Sequence, residues 1–170
     1  AALFTPLAAI GAAVHIAAHA VAKITLFFAA GAIHVAAHKT EVSQLDGIGR
    51  RMPWTLGAFA VAALSMIGLP PTVGFVSKWY MLSGAMVAQH WLAVGVIAVS
   101  TLLNAGYFLP IVYRAFFVSP AGVDQGQDRH PPAHGEAPLP MVLALCATAA
   151  LTLVLFFLPD VPLALARQTI

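Results

Sequence analysis

Charge is what this sequence has least of. Lys, Arg, Asp and Glu make up 8% of its 170 residues, where a soluble domain carries about a quarter. With so few groups to wet a surface, the chain is expected in a bilayer rather than in water. Carboxylates are the scarcer sign. Glu41, Asp46, Asp124, Asp128, Glu136 and Asp160 all fall in polar connections or at the ends of apolar runs. The one cysteine, Cys146, excludes an internal disulfide framework. A formal net charge of +2 gives no footing for nucleic acid. The opening AALFTPLAAIG has neither Met nor a basic leader, so no signal peptide is expected, and the sequence reads as cut from something longer.

What the chain has in place of charge is apolar residues, 61% of the total at a mean hydropathy of +0.90. They run unbroken, without the short alternating segments of a membrane β-barrel, so the membrane spans are predicted to be helices. The expected fold is an all-α, polytopic transmembrane bundle of about five spans with one Pro-broken region. The first span is placed at 6–38, with Thr5 as N-cap and Pro6 in the first helical position. At 1.5 Å per residue it reaches about 48 Å, more than the ~30 Å hydrocarbon core needs. Two spans of minimal length follow, 55–69 and 72–89, meeting at an irregular Gly68-Leu69-Pro70-Pro71 corner. A fourth, 91–118, is expected to bend near Pro110. The polar stretch SPAGVDQGQDRHPPAHGEAPLP lies outside the membrane, and an uncharged span at 139–158 serves as an anchor. Five spans would put Lys39, Arg50, Arg51 and Arg167 on one face and Arg114 and Arg129 on the other, a split too even to orient the chain.

The few charges inside the apolar runs carry the chemistry. His15, His19 and Lys23 recur every fourth residue, a spacing that drifts only about 40° per step on a helix. They form one polar stripe, with His34 near the same face further along. An ammonium at the centre of a span costs on the order of 3 kcal/mol, so Lys23 is expected to face protein or water. Histidine exchanges protons near neutral pH, and the stripe suits a proton relay. A metal site at His15 and His19 has the right spacing but no carboxylate or cysteine beside it. His130 and His134 flank two prolines and read as solvated loop residues.

Lys78 lies in TVGFVSKWYMLSGA, just after Pro70 and Pro71. Irregular backbone at membrane depth is tolerated where it lines a hydrated cavity, and broken helices mark ion pathways in transporters. Lys78 is therefore a second proton-site candidate, with Ser77 expected to satisfy a freed backbone group or hold a water beside it. The competing reading is a lysine that snorkels to the interface. No carboxylate falls inside a predicted span to pair with either lysine, which points to partners on other parts of a larger complex.

Four motifs, HIAAHAVAKITLFFAAGAI, LDGIGRRMPWT, SMIGLPPTVGFVSKWYML and LNAGYFLPIVYRAFF, resemble in order and spacing the antiporter-like membrane subunits. That family is shared by Mrp-type cation/proton antiporters and the proton-pumping arm of respiratory complex I, and the resemblance looks nearest to the D-type member of the Mrp Na⁺/H⁺ antiporters. It implies that this chain is the carboxy-terminal part of a larger inverted-repeat fold. It implies also that Lys23 is the mid-membrane lysine of the second half-channel, with His15 and His19 as neighbours. Lys78 then matches the lysine, or glutamate, of a discontinuous helix leading towards the exit. The glutamate–lysine pair of the amino-terminal repeat is absent. Such subunits carry no cofactor.

The expected function is that of a multi-pass subunit in the bacterial inner (plasma) membrane. It would assemble with other membrane subunits and move H⁺ in exchange for Na⁺ or another monovalent cation. The alternative is a proton-pumping subunit of an NADH:quinone oxidoreductase or related hydrogenase complex. A reading from another class, a haem-binding cytochrome using the histidines, predicts a Soret band.

Overall fold

A computed structural model describes residues 5–119 and 135–168. Among them are six α-helices: α1 (Pro6–Ala37), α2 (Pro53–Ile67), α3 (Val73–Val87), α4 (Trp91–Phe117), α5 (Leu139–Phe157) and α6 (Asp160–Arg167). Two 3₁₀ turns, Val42–Leu45 and Ile48–Arg50, lie between α1 and α2, and no strand occurs among the described residues. The all-α bundle is as expected, and its long segments begin and end within about two residues of the sequence reading. His130, His134 and Arg129 lie outside the described residues.

Helix α1 is the spine. Thr5 caps it, its Oγ1 accepting the Ala8 N–H at 3.3 Å, with Pro6 next. At the other end His38 closes the helix in the left-handed region, its N–H donated to the His34 carbonyl. Small residues, Ala8, Gly11, Ala18, Ala22, Ala29 and Ala32, bury one face and let neighbouring backbones come close. A Cβ on Gly11 would stand 2.6 Å from the Met81 backbone nitrogen, and one on Gly84 2.6 Å from that of Ala8. Halfway along, the Thr25 hydroxyl donates to Thr148 of α5 at 2.8 Å.

The two segments around the Pro–Pro corner differ from expectation. Each helix has 15 residues, about 22 Å at 1.5 Å per residue, short of the ~30 Å core. They lie end to end along α1. Met52 and Leu56 share a buried cluster with Ala32 and Ile33, and Ala63 and Ile67 one with Ala29. Val73 joins Val14 and Ala18, Ser77 meets His15, and Gly84 reaches Ala8. As α2 and α3 advance, their partners on α1 run steadily backwards. They are two halves of one broken passage, because each half is too short to cross alone. With α1, α4 and α5, which are long and apolar enough to cross, the described residues make four passages.

That count corrects the charge split. The end of α4 returns to the α1–α2 connection: Arg114 donates to both oxygens of Asp46, at 2.7 and 3.1 Å, and its carbonyl accepts the Gly47 N–H. Lys39, Arg50, Arg51 and Arg114 therefore gather at one face, and Arg167 lies at the other. The guanidinium's hydrogen bond holds the Asp46 carboxyl below the usual carboxylate range. Gly49 lets this connection press onto α4, since a Cβ there would meet Phe116 at 2.8 Å. At the same face Glu136 caps α2, accepting from the Trp54 N–H and the Thr55 hydroxyl, both at 2.7 Å.

Helix α4 runs on through Pro110 as one element. It leaves an open apolar side, with Leu92 83% and Leu102 71% exposed, as contact with lipid or another membrane helix demands. Helix α6 turns back, burying Leu163 and Ala166 in the cluster with Val14 and Ala18.

Candidate functional site

The site is built on the break. Gly68, at φ +86°, ends α2 and donates its N–H to the Leu64 carbonyl at 2.8 Å. Pro70 and Pro71 have no N–H to continue the ladder. Thr72 closes the corner, its hydroxyl donating to the Leu69 carbonyl at 2.7 Å before α3 begins at Val73. The last carbonyls of α2 are thus left without helical partners, at the negative end of its dipole.

Lys78 takes them. Its Nζ donates to the carbonyls of Met66 at 3.1 Å and Ile67 at 2.7 Å, and to Thr101 Oγ1 of α4 at 3.2 Å. All three ammonium protons are engaged, and no carboxylate among the described residues is involved. The stem passes over Gly68, where a Cβ would stand 2.5 Å from Lys78 Cδ. Gly68 is therefore required twice, for its backbone angle and for the space. Lys78 points back into the break rather than out to an interface.

Ser77, fully buried, connects α3 to α1. Its hydroxyl donates to the Gly74 carbonyl at 2.9 Å, and His15 Nδ1 lies 3.0 Å from the same oxygen. A hydroxyl has one proton, so with that proton on Gly74 the His15 Nδ1 must be the donor. Ser77 was expected to satisfy a freed backbone group or hold a water beside Lys78; the carbonyls at the break are taken by Lys78 itself, and the Ser77 hydroxyl meets Gly74 and His15. The ring of His19 follows, its centroid 5.8 Å from that of His15.

Lys23 completes the stripe but faces outward, with no side-chain hydrogen bond or ion pair among the described residues. His34 and His38 are exposed near the end of α1, their rings 6.5 Å apart. Pro70 and Pro71 shape the corner without touching the polar groups' chemistry. Thr101 and the Met66 and Ile67 carbonyls were not foreseen. Thr101 was findable as a hydroxyl in an apolar run; the carbonyls leave no mark in a sequence. Ser65, 3% exposed, is a further buried hydroxyl beside the break, its Oγ without a partner among the described residues. No group of three or more His, Cys, Asp or Glu able to hold a metal occurs among them.

Residues 1–104 match the family described as NADH:quinone oxidoreductase/Mrp antiporter, TM. The chain belongs to that family. It is 45% identical over 134 residues to NADH-quinone oxidoreductase subunit N of Desulforudis audaxviator, covering 79% of this chain and 25% of that protein. It is 28% identical over 156 residues to the D-type Na(+)/H(+) antiporter protein of Alkalihalophilus pseudofirmus, covering 91% of this chain and 30% of that protein. Identity thus does not single out the D-type antiporter protein. The fold matches a chain in the structure of the Mrp complex from Dietzia sp. DQ12-45-1b. The TM-score is 0.86 at 24% identity, over 98% of this chain and 38% of that one. The chain spans about a quarter to a third of the length of the curated relatives it matches.

Proposed function

We propose that this chain is the carboxy-terminal part of a membrane subunit that carries protons through a larger ion-translocating complex in a bacterial inner membrane. The observation that carries the reading is Lys78, a lysine set on the carbonyl end of a broken helix at membrane depth. Its ammonium is held by two carbonyls and a hydroxyl, groups that stabilise the charge without fixing it as a carboxylate would. Beside it, Ser77 and His15 join α3 to the stripe on α1. The relay would run from Lys23 through His19 and His15 to Ser77 and across to Lys78. Small rearrangements and waters would close the remaining gaps, and the unpartnered Ser65 hydroxyl suits a hydrated break. Lys23 faces outward and would meet its partner on another part of the subunit or complex.

Two couplings fit this path. Exchange of H⁺ against Na⁺ or another monovalent cation is favoured by the 28% identity to a Na(+)/H(+) antiporter protein. Coupling to quinone reduction is favoured by the 45% identity to an NADH-quinone oxidoreductase protein. Proton uptake into vesicles holding the full complex, driven by a Na⁺ gradient or by NADH and quinone, separates them. In the same assay Lys78→Arg, at matched protein level, should lose most of its flux, because guanidinium does not release its proton. Lys78→Glu should keep part of it. Full flux in Lys78→Arg would overturn the proton-site reading.

A further inference from the structure

Between α2 and α5 the surface opens into an apolar groove of about 680 Å³, with Trp54, Gly57, Val61, Cys146, Ala150 and Leu153 among its lining. Its depth comes from small side chains. A Cβ on Gly57 would meet nothing within 4 Å. From Trp54 to Val61 the groove follows α2 for about 10 Å at 1.5 Å per residue. At its mouth Trp54 is 68% exposed, as befits a ring at the membrane–water boundary.

Immediately before α2 come Arg50 and Arg51, both exposed, with no side-chain hydrogen bond or ion pair among the described residues. The nearby carboxylates are already engaged, Asp46 by Arg114 and Glu136 by Trp54 and Thr55. Two free guanidiniums thus come two and three residues before Pro53, at the Trp54 end of the apolar groove. A purely apolar helix would fill the slot and leave the arginines without an anion. A phospholipid supplies both parts, a phosphate that guanidinium binds through paired hydrogen bonds and an acyl chain for the groove.

We infer that this groove is a binding site for an anionic phospholipid, its phosphate on Arg50 and Arg51 and one acyl chain between α2 and α5. The inference needs only that the chain spans a membrane, and it is independent of the proton path.

Native mass spectrometry of the full complex, washed in detergent and supplied with phosphatidylglycerol or phosphatidylcholine, tests it. Wild type should retain phosphatidylglycerol in preference. Arg50→Gln combined with Arg51→Gln should weaken that retention about thirty-fold, at the usual strength of two basic residues near a headgroup. Ala150→Leu, which fills the groove and leaves the charges alone, should abolish it. The Leu variant carries the test if the double variant assembles poorly. Equal retention of the two lipids by wild type, or undiminished phosphatidylglycerol in either variant that assembles, would overturn the proposal. So would a cross-link from Cys146 to another stretch of polypeptide.

Discussion

Gly68 and Lys78 have to be considered together. The glycine gives α2 its left-handed end, and its missing side chain leaves the path along which the lysine reaches back. Gly68→Ala should therefore do two kinds of harm. The backbone angle alone costs about 1 kcal/mol or more, and the new methyl displaces the ammonium from the Met66 and Ile67 carbonyls. A lower thermal midpoint together with reduced proton flux is expected, and flux at the wild-type level would contradict it. Thr101→Val isolates one contact. It removes an acceptor of similar shape, so assembly should hold while the pH dependence of flux shifts. The lysines themselves were legible because a charge in an apolar run is conspicuous. Their surroundings were not. His15 and Ser77 are separated by 62 positions and meet only because α1 and α3 pack at Gly11 and Gly84.

Among the elements, the broken passage shows where reading by length fails. Pro70 and Pro71 announced an interruption, but a Pro–Pro corner looks the same whether the chain reverses or continues. Only the order of partners along α1 decides that α3 continues α2. Thr5-Pro6 marked the start of α1 because N-cap chemistry is local. The short helix α6 escaped because its burial depends on the distant Val14 and Ala18. Two fastenings hold the elements at the charged face. Asp46→Asn should lower the yield of assembled protein by weakening the hold of the 3₁₀ turns on α4. Arg114 keeps the Asp46 carboxyl below its ordinary range. The pair's contribution is therefore complete above the unfolded value near 3.9 and disappears only as pH falls through the lower folded value. Wild-type yield should then be flat between about pH 5 and 8, and the Asn variant's deficit should be constant across it. Glu136→Ala removes the cap of α2 and should cost about 1 kcal/mol, read as a lower unfolding temperature.

At the scale of the whole molecule, a four-to-two split of charges over five spans gave too thin a margin for an orientation. Four passages gather Lys39, Arg50, Arg51 and Arg114 at one face against Arg167 at the other, so the first face is expected to be cytoplasmic. In a cysteine-free background, a cysteine at Gln44 should be labelled by an impermeant maleimide in inverted vesicles, and one at Gln168 in right-side-out vesicles. The reverse pattern would invert the assignment. The broken passage has a further consequence while the chain is being made. A helix of 15 residues emerging from the ribosome falls short of the ~20 apolar residues that hold a segment in the bilayer on its own. Helix α2 must therefore wait beside α1, inside the insertion machinery, until α3 has followed. In a ribosome-arrested chain whose exposed part ends at Ile67, a cysteine placed in α2 should still react with a water-soluble maleimide, and in one ending at Val87 it should not.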